Sequence, residues 1–413
     1  MKDEDIRKEL ESWLDEHWSP DLSLVAWRSI LVDGGWAATH WPADFYGRGF
    51  TSQQAQLVQQ VFANRNIVPA ASSGPRGLAA ETILAHGTDE QKARYLRPIL
   101  TGEHAWCQLF SEPGSGSDLA GASTRAERRD GQWIINGQKV WNTSAHHADF
   151  GILLARTDFD LPKHQGLSYF LINMRQPGVE VRPLKQMNGH ASFNEVFMTD
   201  AVVPAGDLLG GEGNGWAVAA TTLSYERQGF RRSRRSAVNL DLPGRVYEEY
   251  AREQAIANEP YSWYPQREGR VDLVMSQARE TGAIKDPAIR QEIARLLSMQ
   301  QANSLTAAVA EAKRRSGSNE IVPAGSIGKL AASIIARQAA HVHTMIAGAD
   351  AMAAGPDSAV DGMIAEVLLS VPAISIAGGT DEIQRNIIAE RVLGMPKETR
   401  SDTGPFRDIK RNA

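Results

Sequence analysis

Through the first hundred positions apolar residues recur at helical spacing. Ile6, Leu10, Trp13, Leu14 and Trp18 line one stripe, and "TSQQAQLVQQVFANR" and "GLAAETILAHGTDEQKARYLRPIL" continue the pattern. Near residue 105 the period changes. "HAWCQLF", "STRAERR", "QWIINGQKVW", "FGILLART", "LSYFLINM", "VEVRPL" and "NEVFMT" are short β-type runs divided by turn residues. Asn136-Gly137, between two apolar runs, predicts a hairpin turn. From about residue 213 the chain reads as helix again, near 214–240, 268–281, 286–316, 326–350, 361–370 and 380–393, with breaks at "DLPG", "NEPYSWYP" and "AGPDS". The pattern predicts a mostly α protein with a small antiparallel β-domain: helices over 1–104, β over 105–212, and a helical bundle over 213–413. There is no internal repeat and no low-complexity tract.

Composition narrows the class. At 413 residues the core is large enough to be stable without covalent staples. A net charge of −5 argues against a nucleic-acid binder, whose affinity rests on neutralising phosphates. The single cysteine, Cys107, excludes an internal disulfide framework and suits a reducing compartment; in "AWCQLF" it reads as a buried thiol. The charged start "MKDEDIRKEL" lacks an apolar leader core, and no run approaches the ~18 to 20 apolar residues that span a bilayer. The expectation is a soluble, cytoplasmic protein with no membrane contact.

Four stretches carry candidate chemistry. "FSEPGSGSDLAG" (110–121) is a loop rich in backbone N–H groups and hydroxyls, able to hold a polar or anionic ligand, although composition alone favours a plain surface loop. "LGGEGNGW" (209–216) imitates a dinucleotide fingerprint but lacks its spacing and its βαβ context. Trp141 and Thr143, two apart on a strand, share a face, and an indole beside a hydroxyl suits a flat heteroaromatic ring. The commoner arrangement is a core Trp beside a satisfied Thr. His146 and His147 are adjacent, so they do not converge on a metal, and none is expected. "AISIAGGTDEIQRN" (373–386) reads as a helix N-terminus with a glycine pair, a threonine cap and an acidic first turn.

With these residues in view, "GTDEQKARYLRPILTGEHAWCQLFSEPGSGSDLAG", "GQWIINGQKVWNTSAHHADFGILLARTD", "FMTDAVVPAGDLLGGEGNGW" and "GGTDEIQRNIIAERVLGMP" together resemble the acyl-CoA dehydrogenase family. The likeness runs in order along nearly the whole chain and is strongest to the actinobacterial branch of fatty-acid and sterol side-chain β-oxidation. It implies an N-terminal helical domain, a central β-barrel or sandwich and a C-terminal four-helix bundle. It also implies non-covalent FAD, oxidation of an acyl-CoA to the trans-2-enoyl-CoA, and an electron-transfer flavoprotein as acceptor. By the same resemblance Trp141 packs against the isoalloxazine and Thr143 bonds near its N5. Phe110, Ser111, Gly116 and Ser117 line flavin and the CoA arm, with Ser117 near the pantetheine. Gly379, Thr380 and Glu382 lie against FAD.

The reaction needs a base for the α-proton and an acceptor for the β-hydride. A thioester α-proton is too weakly acidic for water, so a positioned, desolvated carboxylate is required. In much of the family a Glu immediately precedes the Gly-Thr pair; here that residue is Gly378. Asp381 and Glu382 lie in a helix first turn, where carboxylates are explained by the helix dipole. Glu226 falls with Leu223, Arg227 and Phe230 on the edge of an apolar helical stripe, where partial desolvation raises basicity. The bland reading is an exposed Glu beside an Arg. In the isovaleryl-CoA and long-chain branches the base comes from an "ER" pair on this helix, which matches Glu226-Arg227 and assigns the base to Glu226. Gly378 then offers its backbone N–H to the thioester carbonyl. Arg227, Ser117 and Gly378 are the substrate-side candidates, and the cluster of Arg227, Arg231, Arg232, Arg234 and Arg235 meets CoA or FAD phosphates, solvent or a subunit interface.

One family feature is missing. An Arg-x-x-Phe-Gly segment that reaches a neighbouring subunit's FAD pyrophosphate is replaced by "REQAIANEPYSWYPQREGRVD" (252–272). The resemblance implies a homodimer or homotetramer, or an α2β2 pairing with a related chain. Three readings stay open: a self-sufficient dehydrogenase, a flavin-poor partner subunit, and an oxidase or flavin monooxygenase on the same fold.

Overall fold

The computed structural model describes residues 2–72, 74–232, 238–315, 324–399 and 402–409. The chain forms two compact units: one takes in Met1–Leu184, Ala191–Pro260 and Asp402–Ala413, the other Lys185–His190 and Tyr261–Ser401.

The first unit opens with five helices: α1 (Asp3–His17), α2 (Leu24–Asp33), α3 (Ser52–Asn64), α4 (Gly74–His86) and α5 (Asp89–Thr101). Thr51 with Gln54, and Thr88 with Gln91, form reciprocal capping boxes that satisfy the first N–H groups of α3 and α5. The stripe read from sequence is the buried one: Ile6, Leu10 and Leu14 are fully buried beside Trp27, Val61 and Phe62. The strands follow as β1 (Trp106–Leu109), β2 (Arg125–Arg129), β3 (Gln132–Thr143), β4 (Phe150–Arg156), β5 (Leu167–Asn173), β6 (Val179–Leu184), β7 (Phe193–Pro204) and β8 (Leu208–Leu209). Their order is β6-β7-β3-β2-β4-β5-β8, with β1 pairing β4. The sheet is mixed where an antiparallel one was expected, because β1 and β2 both run parallel to β4.

The hairpin expected at Asn136-Gly137 does not form; those residues lie inside β3. The turn between β2 and β3 is instead Asp130-Gly131, both at positive φ (48° and 77°), as a type I′ turn requires. Gly137 sits at a β3–β7 irregularity where a Cβ would meet the Thr124 Cα at 2.8 Å. Its glycine answers a close approach of two backbones and not a reversal of the chain.

Two further helices, α6 (Gly215–Arg232) and α7 (Arg245–Asn258), complete this unit. The α7 helix was not foreseen. It buries Val246 and Tyr247 with the N-terminal helices, and Tyr250 packs against the same cluster. In the second unit a short turn of helix, α8 (Tyr264–Arg267), precedes α9 (Val271–Glu280), α10 (Pro287–Arg315), α11 (Ala324–Ala347), α12 (Met363–Ser370) and α13 (Asp381–Arg391). Val274, Ile293, Leu296, Ala339 and Val342 form its core. Among the described residues no helix is long and apolar enough to cross a membrane.

Candidate active site

The expected site residues fall on both units. Phe110, Ser111, Gly116, Ser117, Trp141, Thr143 and Glu226 belong to the sheet-bearing unit, and Gly378, Gly379, Thr380 and Glu382 to the helical one.

On the sheet the 110–121 loop is fastened to β3. The Ser111 carbonyl accepts the Val140 N–H at 2.9 Å, and the Phe110 carbonyl accepts Lys139 Nζ at 2.9 Å. Lys139 is fully buried and reaches Glu112 Oε1 at 2.9 Å. Glu112 also accepts the N–H groups of Ser123 (2.7 Å) and Thr124 (2.8 Å) and the Ser123 hydroxyl (2.9 Å). Burial alone would raise its pKa, but the Lys139 charge and these hydrogen bonds hold the carboxyl down to about 2. Burial lowers the pKa of Lys139, against the pull of Glu112. Neither residue was singled out from sequence. The available signal was slight: a lysine directly ahead of the apolar pair Val140-Trp141 on a predicted strand.

Beyond Glu112 the loop turns back on itself through reciprocal Glu112–Ser115 backbone bonds of 2.9 and 3.0 Å. Gly116 and Ser117 are then exposed, and a Cβ at Gly116 would find no atom within 4 Å. On β3 the strand bulges between Lys139 and Asn142, and Trp141 occupies the left-handed region (φ 64°) with its side chain 56% exposed. A non-glycine residue there is strained, and an exposed indole is unusual; together they point to a ligand surface. The ring stands edge-on to Phe193 at 5.7 Å. Asn142, between Trp141 and Thr143, is buried; its Nδ2 donates to Gln108 O at 2.7 Å and its Oδ1 has no donor among the described residues. Thr143 is half-buried next to it. An open indole beside a hydroxyl, with a loop whose Gly116 and Ser117 are exposed, fits a flat, hydrogen-bonding ring such as isoalloxazine.

Glu226 lies on α6, which is anchored one turn earlier. Thr222 Oγ1 meets Thr82 Oγ1 and Tyr169 Oη, each at 3.0 Å, and Thr221 Oγ1 meets His86 Nε2 at 2.8 Å. Glu226 itself is half-buried, as the edge of an apolar stripe predicts. The side chains of Arg227, Phe230, Arg231 and Arg232, and all of Arg234 and Arg235, lie outside the described residues.

In the helical unit, Gly378 and Gly379 both have positive φ (67° and 89°). Gln384 Nε2 donates to both of their carbonyls at 3.2 and 3.3 Å, and Thr380 Oγ1 caps the Ile383 N–H. Asp381 is more than a dipole partner. It is buried, accepting Ser333 Oγ at 2.7 Å, Arg337 Nη1 at 2.9 Å and Lys329 Nζ at 3.2 Å. Burial pushes its pKa up, yet the bonds from Ser333, Lys329 and Arg337 hold it below the ordinary carboxylate range. A carboxylate so engaged is a poor base. Glu382 is exposed.

His146 and His147 line a shallow surface groove with Glu259, and no group able to hold a metal ion occurs among the described residues.

Comparison with known proteins gives the family. The chain matches "Acyl-CoA dehydrogenase, N-terminal domain" over residues 2–103, the middle domain over 107–201 and the C-terminal domain over 270–393. Acyl-CoA dehydrogenase IpdE1 of Mycobacterium tuberculosis is 32% identical over 96% of this chain and 99% of its own length. Acyl-CoA dehydrogenase FadE34 of the same organism is 48% identical over 198 residues, which are 48% of this chain and 27% of that protein. Among solved structures, the Tcur3481-Tcur3483 steroid ACAD aligns at a TM-score of 0.64 with 23% identity, covering 96% of this chain and 98% of the other, which speaks for the fold. The chain belongs to the acyl-CoA dehydrogenase family of oxidoreductases.

Proposed function

We propose that the protein is an FAD-dependent acyl-CoA dehydrogenase that takes an acyl-CoA thioester to its trans-2-enoyl-CoA, with Glu226 as the base. FAD, when bound, supplies the hydride acceptor at N5. The chain's own residues do the rest. Trp141 gives a flat apolar surface, Thr143 a hydroxyl, and the open N–H groups around Gly116 and Ser117 a cradle for the CoA arm. Glu226 receives the α-proton, and the Gly378 N–H stabilises negative charge gathering on the thioester oxygen. The observation that carries this reading is the state of the alternatives: residue 378 has no side chain, and Asp381 is bound to a hydroxyl and two cations. Half-burial keeps Glu226 partly out of solvent, as a base for a thioester α-proton requires. Missing bulk at Gly378 and the steroid dehydrogenase among the structural relatives support a bulky acyl chain, a sterol side chain included. An electron-transfer flavoprotein is the proposed acceptor.

A flavin-poor partner subunit is the second reading. It is favoured by the missing arginine motif, whose stretch here ends α7 and forms α8, and by a structural relative named for a pair. The chain purified alone decides between them. Roughly one oxidised FAD per chain, bleached by a steroid side-chain or branched acyl-CoA under argon, is expected. A folded, colourless chain that gains flavin only with a related partner would overturn self-sufficiency.

A further inference from the structure

Residues 402–409 lie along the 158–163 loop of the sheet-bearing unit. The Phe406 N–H donates to Leu161 O and the Arg407 N–H to Phe159 O, each at 3.0 Å, and Arg407 pairs with Asp160. Two of their side chains act on groups that hold the 110–121 loop. Phe406, buried to 1% exposure, covers the guanidinium of Arg156 at 3.4 Å. Arg156 is fully buried and gives its N–H groups to Ala120 O (2.7 Å), Ala122 O (3.0 Å) and Lys163 O (3.1 Å). Asp402 pairs with Lys163, whose buried ammonium also grips both oxygens of Asp118 at 2.7 and 2.8 Å.

We propose that residues 402–409 form a strap that sets the conformation of the 116–122 part of the ligand loop, with Asp402 and Phe406 as positioning residues for FAD and CoA. The inference rests on the role given to that loop above. Two separate routes lead from strap to loop: Phe406 through Arg156 to the Ala120 and Ala122 carbonyls, and Asp402 through Lys163 to Asp118. A buried cation keeps a fixed geometry only while its partners exclude water and balance its charge. Asp118 is itself 61% exposed at its side chain, so by itself it makes a screened partner; Asp402 adds the second carboxylate on the same ammonium. The cation–π contact of Phe406 closes one face of Arg156 to solvent. Loosening either route frees the loop just beyond Gly116 and Ser117, the residues placed to meet the ligand.

The test uses the full chain with Phe406→Ala, Asp402→Asn and, as the conservative control, Phe406→Tyr. Hydrogen exchange of the 115–122 amides reports the loop directly, and titrations of free coenzyme A and of FAD into deflavinated protein report binding. The expected result is exchange at 115–122 faster by roughly tenfold in Phe406→Ala, with both ligands weakened by a similar factor and Phe406→Tyr close to wild type. Asp402→Asn is expected to give a smaller change in the same direction, and it carries the test if Phe406→Ala does not fold. Unchanged exchange in both variants overturns the strap. Faster exchange with unchanged affinity for both ligands also overturns it as a positioning device, and places the error in the role assigned to the loop.

Discussion

The sheet-borne loop and the turn ahead of α13 solve the same problem in opposite ways. Each fixes a stretch with exposed residues, Gly116 and Ser117 in one and Gly378 in the other, by burying a carboxylate close by. On the sheet, Glu112 is closed in with one lysine, two N–H groups and a hydroxyl, and the ammonium is fully buried. At the turn, Asp381 has two cations and a hydroxyl, and Arg337 is 47% exposed at its side chain. The first arrangement is dry and fixed by strand geometry. The second is partly wet and ties helices α11 and α13 together. The lesson is that both carboxylates are occupied by structure, which is why the base proposed above is sought in a third one carried by neither clamp.

The comparison can be broken first at Lys139. Lys139→Met strands Glu112 in a dry site, and we expect about 3–5 kcal/mol lost in urea denaturation. Glu112 has a depressed pKa when folded, so its contribution is present above the unfolded value and is lost as pH falls. Wild-type stability should therefore decline from about 4.3 toward about 2, and the variant should lack that decline. A loss below about 1 kcal/mol, the range of exposed pairs, would remove the contrast between the two clamps.

The turn should yield less. Asp381→Asn is expected to cost roughly 2 kcal/mol once the half-exposed Arg337 is discounted for solvent screening. Thermal melts would report this, and activity should fall only as far as the turn loosens. A loss of turnover with stability intact would mean that Asp381 takes part in chemistry.

The smallest stability effect belongs to Trp141. Its side chain is mostly exposed and its backbone left-handed, so Trp141→Gly should leave the melting temperature unchanged or raise it, by about 1 kcal/mol at most. Bound flavin should fall sharply in the same variant. Retention of flavin would show that the indole is not its platform.

Much of this was legible in the chain. The strands declared themselves through short runs divided by turn residues, and the first helix through Ile6, Leu10 and Leu14. Asn136-Gly137 misled because a turn dipeptide also suits a bulge: the Asn136 side chain bonds to Asp200 instead, and Gly137 admits Thr124. Helix α7 was hidden because its buried apolar face is short, Val246 and Tyr247, while Ile256 is exposed. The clamps were not legible either. Lys139, Glu112 and Asp381 look like ordinary surface charges until the fold buries them. Trp141 and Thr143 were readable as a pair, whereas the strained backbone that exposes the indole was not.

The account turns on Glu226, and the most direct measurement is the reductive half-reaction of Glu226→Gln. The variant, loaded with FAD, would be mixed anaerobically with an acyl-CoA that bleaches the wild type, and the flavin absorbance followed. A positioned base contributes about 10²–10⁴-fold, so the account predicts an intact flavin spectrum with reduction slowed by at least that factor. Reduction at the wild-type rate would contradict it and send the search for the base elsewhere.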